Sequence, residues 1–137
     1  MITKRHKSIQ IKKFDDTKVS SALDRVAIEE PLEIQLCSET EALSAAKSIS
    51  VTMRTPGHDE DLAMGFLFTE SIIHSAEDVK SIDVVGETDQ ESGSKNIVRV
   101  SIKPSIEIDS DMLTRHFYTT SSCGVCGKAS IEAIYNK

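Results

Sequence analysis

A chain of 137 residues is long enough for one domain with a modest core, and fractions of 39% hydrophobic and 28% charged residues are typical of a soluble globular protein. No apolar run approaches the roughly 20 residues of a membrane-spanning helix, and the first residues, MITKRHKSIQIKK, lack the apolar stretch of a secretory signal. The net charge of −6 argues against a nucleic-acid-binding domain. We therefore expect a cytoplasmic protein whose partners include neither a membrane nor nucleic acid.

The amino-terminal 18 residues are more basic than the rest of the chain. Their acidic residues are Asp15 and Asp16, against six basic ones: Lys4, Arg5, Lys7, Lys12, Lys13 and Lys18. A flexible, solvated terminus is the simplest interpretation of such a cluster, and contact with an anionic partner is the alternative. The sequence therefore predicts a basic, flexible leader over residues 1–18 and a mixed α/β domain over residues 19–137.

Two segments in the first half of the chain have the alternating pattern of strands. The stretch EPLEIQL, which begins at Glu30, alternates aliphatic residues with Glu33 and Gln35, and this predicts a half-buried strand. The stretch ISVTMR, which begins at Ile49, has the same alternation and predicts a second strand. The intervening CSETEALSAAKS is long for a hairpin loop, so we expect a helical turn within it.

A helical pattern follows from His58 to about Ile73, after Pro56 and Gly57 have interrupted the second strand. Apolar residues there recur three or four positions apart, as on one face of a helix: Leu62, Ala63, Phe66 and Leu67. The three acidic residues of the first turn suit the positive end of a helix dipole. The sequence predicts a helix over this segment.

The rest of the chain alternates again between strand and helix patterns. Ser81–Val85 and Asn96–Ile102 predict two strands, joined as an antiparallel pair by a polar loop. Asp109–Phe117 predicts a short helix capped by Asp109 or Ser110, and Lys128–Tyr135 predicts the start of another. The expected fold is α+β or α/β, with a mixed sheet and flanking helices, and it is expected to be incomplete within this chain.

The motif SSCGVCGKAS spans Ser121–Ser130 and contains two of the three cysteines. Cys123 and Cys126 are each followed by glycine, which permits backbone conformations that a side chain would forbid. If a helix begins near Gly127, its free N–H groups and the cation of Lys128 stabilise a thiolate there and lower the pKa of these thiols. This pattern indicates a nucleophilic sulfur.

Other roles of the cysteine pair follow from the same residues. Paired cysteines in a reducing compartment more often bind metal or perform chemistry than form structural disulfides. A structural zinc site needs two further ligands, and the candidates do not have a recognised finger spacing: Cys37, His58, His74 and His116. A thioredoxin-type site is not favoured, because the pair stands late in a chain without tryptophan. Cys37, alone at a strand end, is expected to be a small apolar side chain.

A zinc-dependent hydrolase of the deaminase type is the enzymatic alternative. His58 and Glu60 form an H-x-E at the start of one helix, and Cys123 and Cys126 form a CxxC at the start of another, in the order of the deaminase signature. That signature has proline where this chain has Ser122, and the separation of the two motifs is long. In this alternative Glu60 transfers protons, and the histidine and cysteines hold zinc.

Three segments taken together resemble the formate dehydrogenase accessory sulfurtransferases, known as FdhD proteins. They are VAIEEPLEIQL (Val26–Leu36), VTMRTPGHDEDLAMGFLFTESII (Val51–Ile73) and FYTTSSCGVCGKAS (Phe117–Ser130). Their order and spacing extend over most of the chain, and the last two are far more specific than a CxxC alone. Ser71 is a departure, since the family usually has glycine at this position.

The resemblance implies a sulfur relay. Such a protein takes sulfur from a cysteine desulfurase, holds it as a persulfide, and delivers it to the molybdenum bis-guanine-dinucleotide cofactor that formate dehydrogenase requires. Cys123 is the implied carrier, with Cys126 assisting, and no cofactor is tightly bound. A cytidine-deaminase-like fold and a homodimer are implied as well, in which case His58 and Glu60 are residues that preserve the fold or face the cofactor and no metal is held.

The family members continue past the CxxC helix, so this chain is expected to hold their amino-terminal half. The resemblance places the main cofactor contacts beyond Lys137 and leaves Arg54, His58 and Lys128 as the weaker candidates within the chain. A chaperone that binds the cofactor or the apo-enzyme, with purely structural cysteines, is the non-enzymatic alternative.

Overall fold

The structure is a computed structural model, and it describes residues 3–108 together with Ile131. The strands and the helix are β1 (His6–Asp15), β2 (Lys18–Ala27), β3 (Glu30–Ser38), β4 (Lys47–Arg54), α1 (Asp59–Thr69), β5 (Val79–Thr88) and β6 (Lys95–Ile102). Single 3₁₀ turns cover Leu43–Ala45 and Ala76–Asp78. The predicted helices over Asp109–Phe117 and Lys128–Tyr135 lie outside the described residues, except for Ile131. Within residues 3–108, no helix is long and apolar enough to cross a membrane.

Four strands form a mixed sheet in the order β4-β3-β6-β5. β3 pairs with β4 antiparallel and with β6 parallel, and β5 and β6 form the predicted antiparallel pair. All four strands that the alternating pattern predicts are present, and the expected turn between β3 and β4 is the first 3₁₀ turn. The mixed α+β class is therefore confirmed, while the cytidine-deaminase-like character stays a prediction.

One face of this sheet packs against α1 and forms the hydrophobic core. Leu32, Ile34 and Leu36 point from β3 into the core, and α1 contributes Ala63 and Leu67, which are fully buried. Strand β6 adds every second residue to the same face: Val98, Val100 and Ile102. Burial of an aliphatic side chain of this size stabilises the fold by about 1.5–3 kcal/mol, so this face supplies most of the hydrophobic stabilisation.

The other face of the sheet, here called the second face, is also removed from solvent. Glu33, Gln35 and Cys37 alternate with the core residues of β3, and Glu33 and Cys37 are only 6% and 1% exposed. Val51, which is opposite Glu33 on β4, is fully buried. The prediction that β3 is half-buried is therefore wrong, because its polar residues meet protein rather than water. Cys37 is a buried free thiol, as expected.

Strands β1 and β2 form a separate antiparallel hairpin. Its ten-residue strands occupy much of the segment predicted to be a flexible leader, so a boundary at residue 18 falls at the start of β2, inside the hairpin. Paired main chains form a strand over His6–Asp15 despite weak hydrophobic contrast. The flexibility of the predicted leader stays a prediction. Lys4 N–H donates to the Ser92 carbonyl at 2.9 Å and connects the base of the hairpin to the main sheet.

Helix α1 ends at Thr69, earlier than the apolar pattern predicts. Ser71 has a φ of +59°, and its N–H bonds the Phe68 carbonyl while the N–H of Ile72 bonds the Leu67 carbonyl. These two bonds form a Schellman motif, the common left-handed end of a helix, in which a buried residue follows the turn. Ile72 and Ile73 therefore remain in the core without belonging to the helix.

Candidate functional site

Arg54 lies at the end of β4 and is the centre of a buried ionic cluster. Its side chain is 5% exposed. The guanidinium donates to Asp59 from Nε at 2.9 Å and from Nη2 at 3.0 Å, and Nη2 also donates to the Lys95 carbonyl at 2.9 Å. Nη1 donates to the Glu30 carboxylate at 3.3 Å and to the Glu30 carbonyl at 3.5 Å. These bonds account for all five N–H donors that a guanidinium has.

The Arg54 cluster joins the start of α1 to the sheet. Asp59 belongs to the first helical turn, Glu30 opens β3, and Lys95 opens β6. A bidentate carboxylate pair with an arginine is among the strongest charged contacts, and desolvation makes it costly to break. Because its donors are satisfied within the chain, Arg54 would have to release an acceptor before it bound a cofactor phosphate. Its cofactor role stays a prediction.

A cleft of about 630 Å³ lies beside the first turn of α1. Residues Gly57 to Asp61 line one side, and Gly93 to Lys95 line another. His58 is 65% exposed, and its Nδ1 lies 3.4 Å from Asp61 Oδ2. Glu60 is exposed as well. The amino end of a helix attracts anions, but the carboxylates of this turn repel them. The cleft therefore has opposing electrostatic effects on a bound anion.

The loop between β5 and β6 forms the wall of this cleft and is organised by Asp89. Its Oδ1 accepts the N–H groups of Ser92 and Glu91, each at 2.8 Å. These backbone hydrogen bonds, with that of Ser92 the strongest, hold the pKa of Asp89 below its usual value. The buried Ser92 and Ser94 hydroxyls, 2.8 Å apart, continue to Glu30 Oε2 through a 2.7 Å bond from Ser94, so the loop is connected to the Arg54 cluster.

A second polar group lies on the second face of the sheet. Arg99 donates from Nε and Nη2 to Gln35 Oε1 at 3.1 and 3.0 Å, and Gln35 Nε2 donates to Glu33 Oε1 at 2.8 Å. The other carboxylate oxygen of Glu33 accepts the N–H of Ile131 at 2.9 Å. Ile131 is buried and stands five positions after Cys126. This contact attaches Ile131 to the central strand.

The predicted site residues divide into two groups. Arg54, His58 and Glu60 lie in or behind the cleft at the start of α1. Cys123, Cys126 and Lys128 lie outside the described residues, with His116, a possible zinc ligand. His74 is exposed, and its own main-chain N–H donates to Asp78. Within the part of the chain that the structure describes, no three His, Cys, Asp or Glu side chains are grouped as metal ligands.

The sequence interpretation missed Glu33, Gln35 and Arg99. It assigned the polar positions of β3 to solvent, and Arg99 has the same alternating context within β6. The sequence pattern indicates these residues only weakly. A strand whose polar face meets solvent and a strand whose polar face is buried against other polar groups show the same alternation of apolar and polar residues. The partner that buries Glu33 is 98 positions away, beyond any local pattern.

Comparison with known proteins settles the family. The model of the FdhD/NarQ family matches residues 27–137, which include the Arg54 cluster, the cleft residues of α1 and both cysteines of the CxxC motif. The chain belongs to the FdhD/NarQ family. The FdhD resemblance of the three sequence segments is thereby confirmed.

Several curated FdhD relatives are similar over most of the chain. The sulfur carrier protein FdhD of Streptomyces coelicolor is 41% identical over 134 residues, which are 97% of this chain and 44% of the relative. That of Mycolicibacterium paratuberculosis is 45% identical over 112 residues, or 81% of this chain and 38% of the relative. The FdhD of Saccharolobus solfataricus is 35% identical over 131 residues, covering 92% and 44%. The chain thus spans less than half the length of these relatives.

The fold is also similar to a solved structure. A crystal structure from Desulfotalea psychrophila, described as a formate dehydrogenase accessory protein, aligns with a TM-score of 0.54 at 21% identity. The alignment covers 72% of this chain and 35% of that chain. At this identity, the likeness supports the arrangement of sheet and helix alone.

Proposed function

We propose that this FdhD chain is a sulfur carrier that forms a persulfide on its CxxC motif in support of formate dehydrogenase. The observation that carries the proposal is the family match, which spans Cys123 and Cys126 and relates the chain to proteins named sulfur carriers. The attachment of Ile131 to Glu33 supports it, because a fixed point close to the motif suits a reactive pair on a defined surface.

The loading step is a thiol exchange with a cysteine desulfurase. The thiolate of Cys123 attacks the outer sulfur of the persulfide on the donor's cysteine, and the donor leaves as a thiolate. A bond between the Cys123 sulfur and the transferred sulfur forms as the donor's sulfur–sulfur bond breaks. The oxidation level is conserved, because one persulfide is exchanged for another.

The release step uses the second cysteine. The thiolate of Cys126 attacks the inner sulfur of the Cys123 persulfide, forms a disulfide between the two residues, and releases the outer sulfur as hydrosulfide. The two thiols supply the two electrons that reduce the carried sulfur to sulfide. The sulfide becomes a ligand of the molybdenum bis-guanine-dinucleotide cofactor, which is the acceptor, and a cellular thiol reduces the disulfide for the next cycle.

The proposal places the protein in the cytoplasm, where thiols stay reduced. Its partners are then a cysteine desulfurase as donor and formate dehydrogenase as the enzyme that receives the sulfurated cofactor. We also infer a homodimer from the family resemblance, and sedimentation equilibrium of the purified chain checks this inference.

Intact-mass analysis tests the carrier role directly. The purified chain is incubated with a cysteine desulfurase and cysteine. Loaded chains are expected to gain one sulfur atom, and chains that have already released it are expected to lose two hydrogens as the Cys123–Cys126 disulfide; dithiothreitol reverses both changes. Cys123→Ala should abolish the adduct. Cys126→Ala should keep it but release no sulfide, and Cys37→Ala, which alters the buried thiol, should load normally. A Cys126→Ala chain that gains no sulfur, together with a wild-type chain that gains neither the sulfur nor the Cys123–Cys126 disulfide left by its release, would refute the proposal.

The zinc hydrolase alternative has less support from the cleft. His58 and Asp61 are 65% and 86% exposed, so the contact between the imidazole and this carboxylate does not hold the histidine in a buried, preorganised position for a metal. Elemental analysis separates the two functions. Stoichiometric zinc that is lost in both Cys126→Ser and His58→Ala would favour the hydrolase over the carrier.

The chaperone alternative makes a different prediction in cells. If the cysteines only support the fold, the double variant Cys123→Ala, Cys126→Ala still sustains formate dehydrogenase activity when it replaces the corresponding residues of a full-length relative. The carrier proposal expects that activity to be lost while the variant protein accumulates at the normal level.

A further inference from the structure

The hairpin of β1 and β2 has one face that is exposed along its whole length. This face consists of the even-numbered residues of β1 and the odd-numbered residues of β2, which the register pairs with each other, and each of them is exposed. Phe14 and Val19 form a cross-strand pair close to the turn and are 78% and 61% exposed, and Leu23 on the same face is 79% exposed. We call it the open face of the hairpin.

The opposite face of the hairpin has the contacts that orient it. Lys7 Nζ lies 3.1 Å from Glu91 Oε1 in the loop between β5 and β6, and the apolar residues Ile9 and Ile11 are half-buried. A hairpin of two strands is at best marginally stable in water when nothing packs against it. Burial of the open face would therefore add stability that the hairpin lacks.

The charge of the open face is of one sign. Lys12 and Arg25 belong to it, and none of its ten residues, all of them described by the structure, is acidic. Exposed apolar side chains accompanied by charge of one sign are typical of a contact surface. A surface that covers the open face should therefore combine exposed apolar side chains with negative charge.

The solvent side of α1 has these properties. Asp61, Leu62, Gly65, Phe68 and Thr69 fall on one side of a helix with 3.6 residues per turn, and all five are exposed. Leu62 is 38% and Phe68 59% exposed, and a Cβ atom added to Gly65 would meet no neighbouring atom within 4 Å. Gly65 therefore leaves a shallow depression between two apolar side chains. We call this side the outer face of α1.

The outer face of α1 has the charge that the open face lacks. Asp61 is 86% exposed, and the exposed Glu60 and Glu70 flank this face. Residues 58–70, all within the described chain, include no lysine or arginine. The hairpin of the same chain does not cover this face, because Leu62 and Phe68 are exposed. A second copy of the chain provides both surfaces with a complementary partner.

Two-fold symmetry allows the contact to form twice. Each hairpin leaves its chain close to its own α1, since Arg5 directly precedes β1 and a Cβ atom at Gly57 would lie 3.3 Å from Arg5 Nε. Strands of ten residues extend about 33 Å, about twice the length of α1, so the hairpin can cross the helix of a partner. The helix is short, so two such contacts give a small interface, typical of a weak dimer.

We propose that the hairpin is an exchange arm: the open face of each chain docks on the outer face of α1 of a second copy, which returns the same contact. The inference rests on the homodimer of the proposed function, to which it gives a contact surface, and it does not depend on sulfur transfer. Asp61 of the outer face also lines the cleft at the start of α1, so the arm of one chain borders the cleft of the other.

Sedimentation velocity over a range of protein concentrations measures this dimer. The purified wild-type chain is expected to dimerise with a dissociation constant in the micromolar range, and added salt should weaken the dimer several-fold because opposite charges meet. Leu23→Ser and Phe68→Ser should each weaken it about tenfold or more, since each change removes an apolar side chain from both copies of the contact. A dimer that both variants leave unchanged would refute the arm and keep the homodimer.

Two neighbouring lysines provide a matched control. Lys12 lies on the open face and Lys13 on the opposite face, and both are exposed. Lys12→Glu should weaken the dimer several-fold, because it brings a negative charge to an acidic surface, whereas Lys13→Glu should change the dissociation constant by less than about twofold. Circular dichroism checks that each variant is folded. Equal effects of the two changes would refute the assignment of the open face.

Photo-crosslinking identifies the surface on which the arm docks. An isotope-labelled chain with p-benzoylphenylalanine in place of Phe14 or of Leu23 is mixed with unlabelled wild type and irradiated. Mass spectrometry is expected to find crosslinks between labelled and unlabelled chains in the peptide that contains α1. Crosslinks within one chain only, or between chains outside α1, would refute the docking. A wild type that stays monomeric would refute both the arm and the homodimer, while the intact-mass test still decides the sulfur-carrier function.

Discussion

Ser71 shows how a single departure from the family pattern acquires a physical meaning. Its φ of +59° lies in the left-handed region, where glycine has no steric penalty and a residue with a Cβ atom does. The position is the residue after the helix cap in a Schellman motif, the place where glycine is most often found. The glycine that is usual in the family is therefore explained by the backbone, and serine here is under strain.

Replacing this serine should stabilise the protein. Ser71→Gly is expected to raise the free energy of unfolding by about 1 kcal/mol, because the steric cost of the left-handed conformation exceeds the entropy that glycine adds to the unfolded chain. Urea denaturation measures the change. Ser75→Gly is the matched control: its φ of −153° is extended, so no strain is relieved and stability should not rise. An equal gain in both variants would contradict this explanation.

At the scale of the elements, the loop between β5 and β6 is ordered by a charge as well as by its turn. Asp89 accepts main-chain N–H groups that favour its ionised form, which lowers its pKa in the folded state. The stabilisation is complete above the unfolded-state pKa of about 3.9 and is lost as the pH falls through the lower folded-state value. The loop is thus predicted to weaken in acid, below about pH 4.

The variant Asp89→Asn tests this pH dependence. Asparagine keeps an acceptor oxygen for the turn but has no charge, so the variant should be less stable than the wild type at pH 7. The difference should shrink as the pH falls below about 4, because the wild-type carboxyl becomes protonated there. Urea denaturation across this range measures it, with Asp83→Asn on the exposed surface of β5 as control. A stability difference between the wild type and Asp89→Asn that stays constant below pH 4 would contradict the role assigned to the charge of Asp89.

The sequence predicts those elements whose pattern contrasts with their surroundings. β3 to β6 have apolar alternation, α1 has a periodic apolar pattern, and the segment between β3 and β4 is long for a hairpin loop, so these elements were found. The 3₁₀ turn over Ala76–Asp78 was not predicted. β1 and β2 carry exposed residues such as Phe14 and Leu23 among many polar ones, and this weak contrast hid the hairpin. The end of α1 was placed too late because Ile72 and Ile73 continue the apolar pattern after the backbone has left the helix.

For the whole molecule, the Arg54 cluster connects parts that are distant in sequence. It joins the beginnings of β3, α1 and β6 at one end of the sheet, and Ser94 links it to the loop of Asp89. The family-like segment Val51–Ile73 indicates Arg54 as a candidate site residue. It does not indicate Glu30 and Lys95, which contact Arg54 only in the folded protein. The cysteines are the reverse case: their motif predicts them as site residues, and they lie outside the described residues.

Loss of this arginine should destabilise the entire fold. Arg54→Met leaves the carboxylates of Glu30 and Asp59 partly buried without their cation, and we expect a loss of about 3 kcal/mol in the free energy of unfolding. Lys7→Met is the matched control, because the Lys7–Glu91 pair is 45% and 52% exposed, and it should cost less than about 1 kcal/mol. Thermal and urea unfolding measure both. Equal losses would mean that burial does not distinguish the two pairs.

The bond between Glu33 and Ile131 also affects the order of folding during synthesis. Its two residues are 98 positions apart, so loop-closure entropy makes this contact slow and late compared with the neighbouring β3–β4 pairing. A ribosome that has translated only as far as β6 has made the four strands that the structure describes in this sheet, yet it has not made Ile131, whose N–H donates to Glu33. The charged second face stays incomplete until both cysteines have been translated, which links completion of the central strand to the presence of the reactive motif.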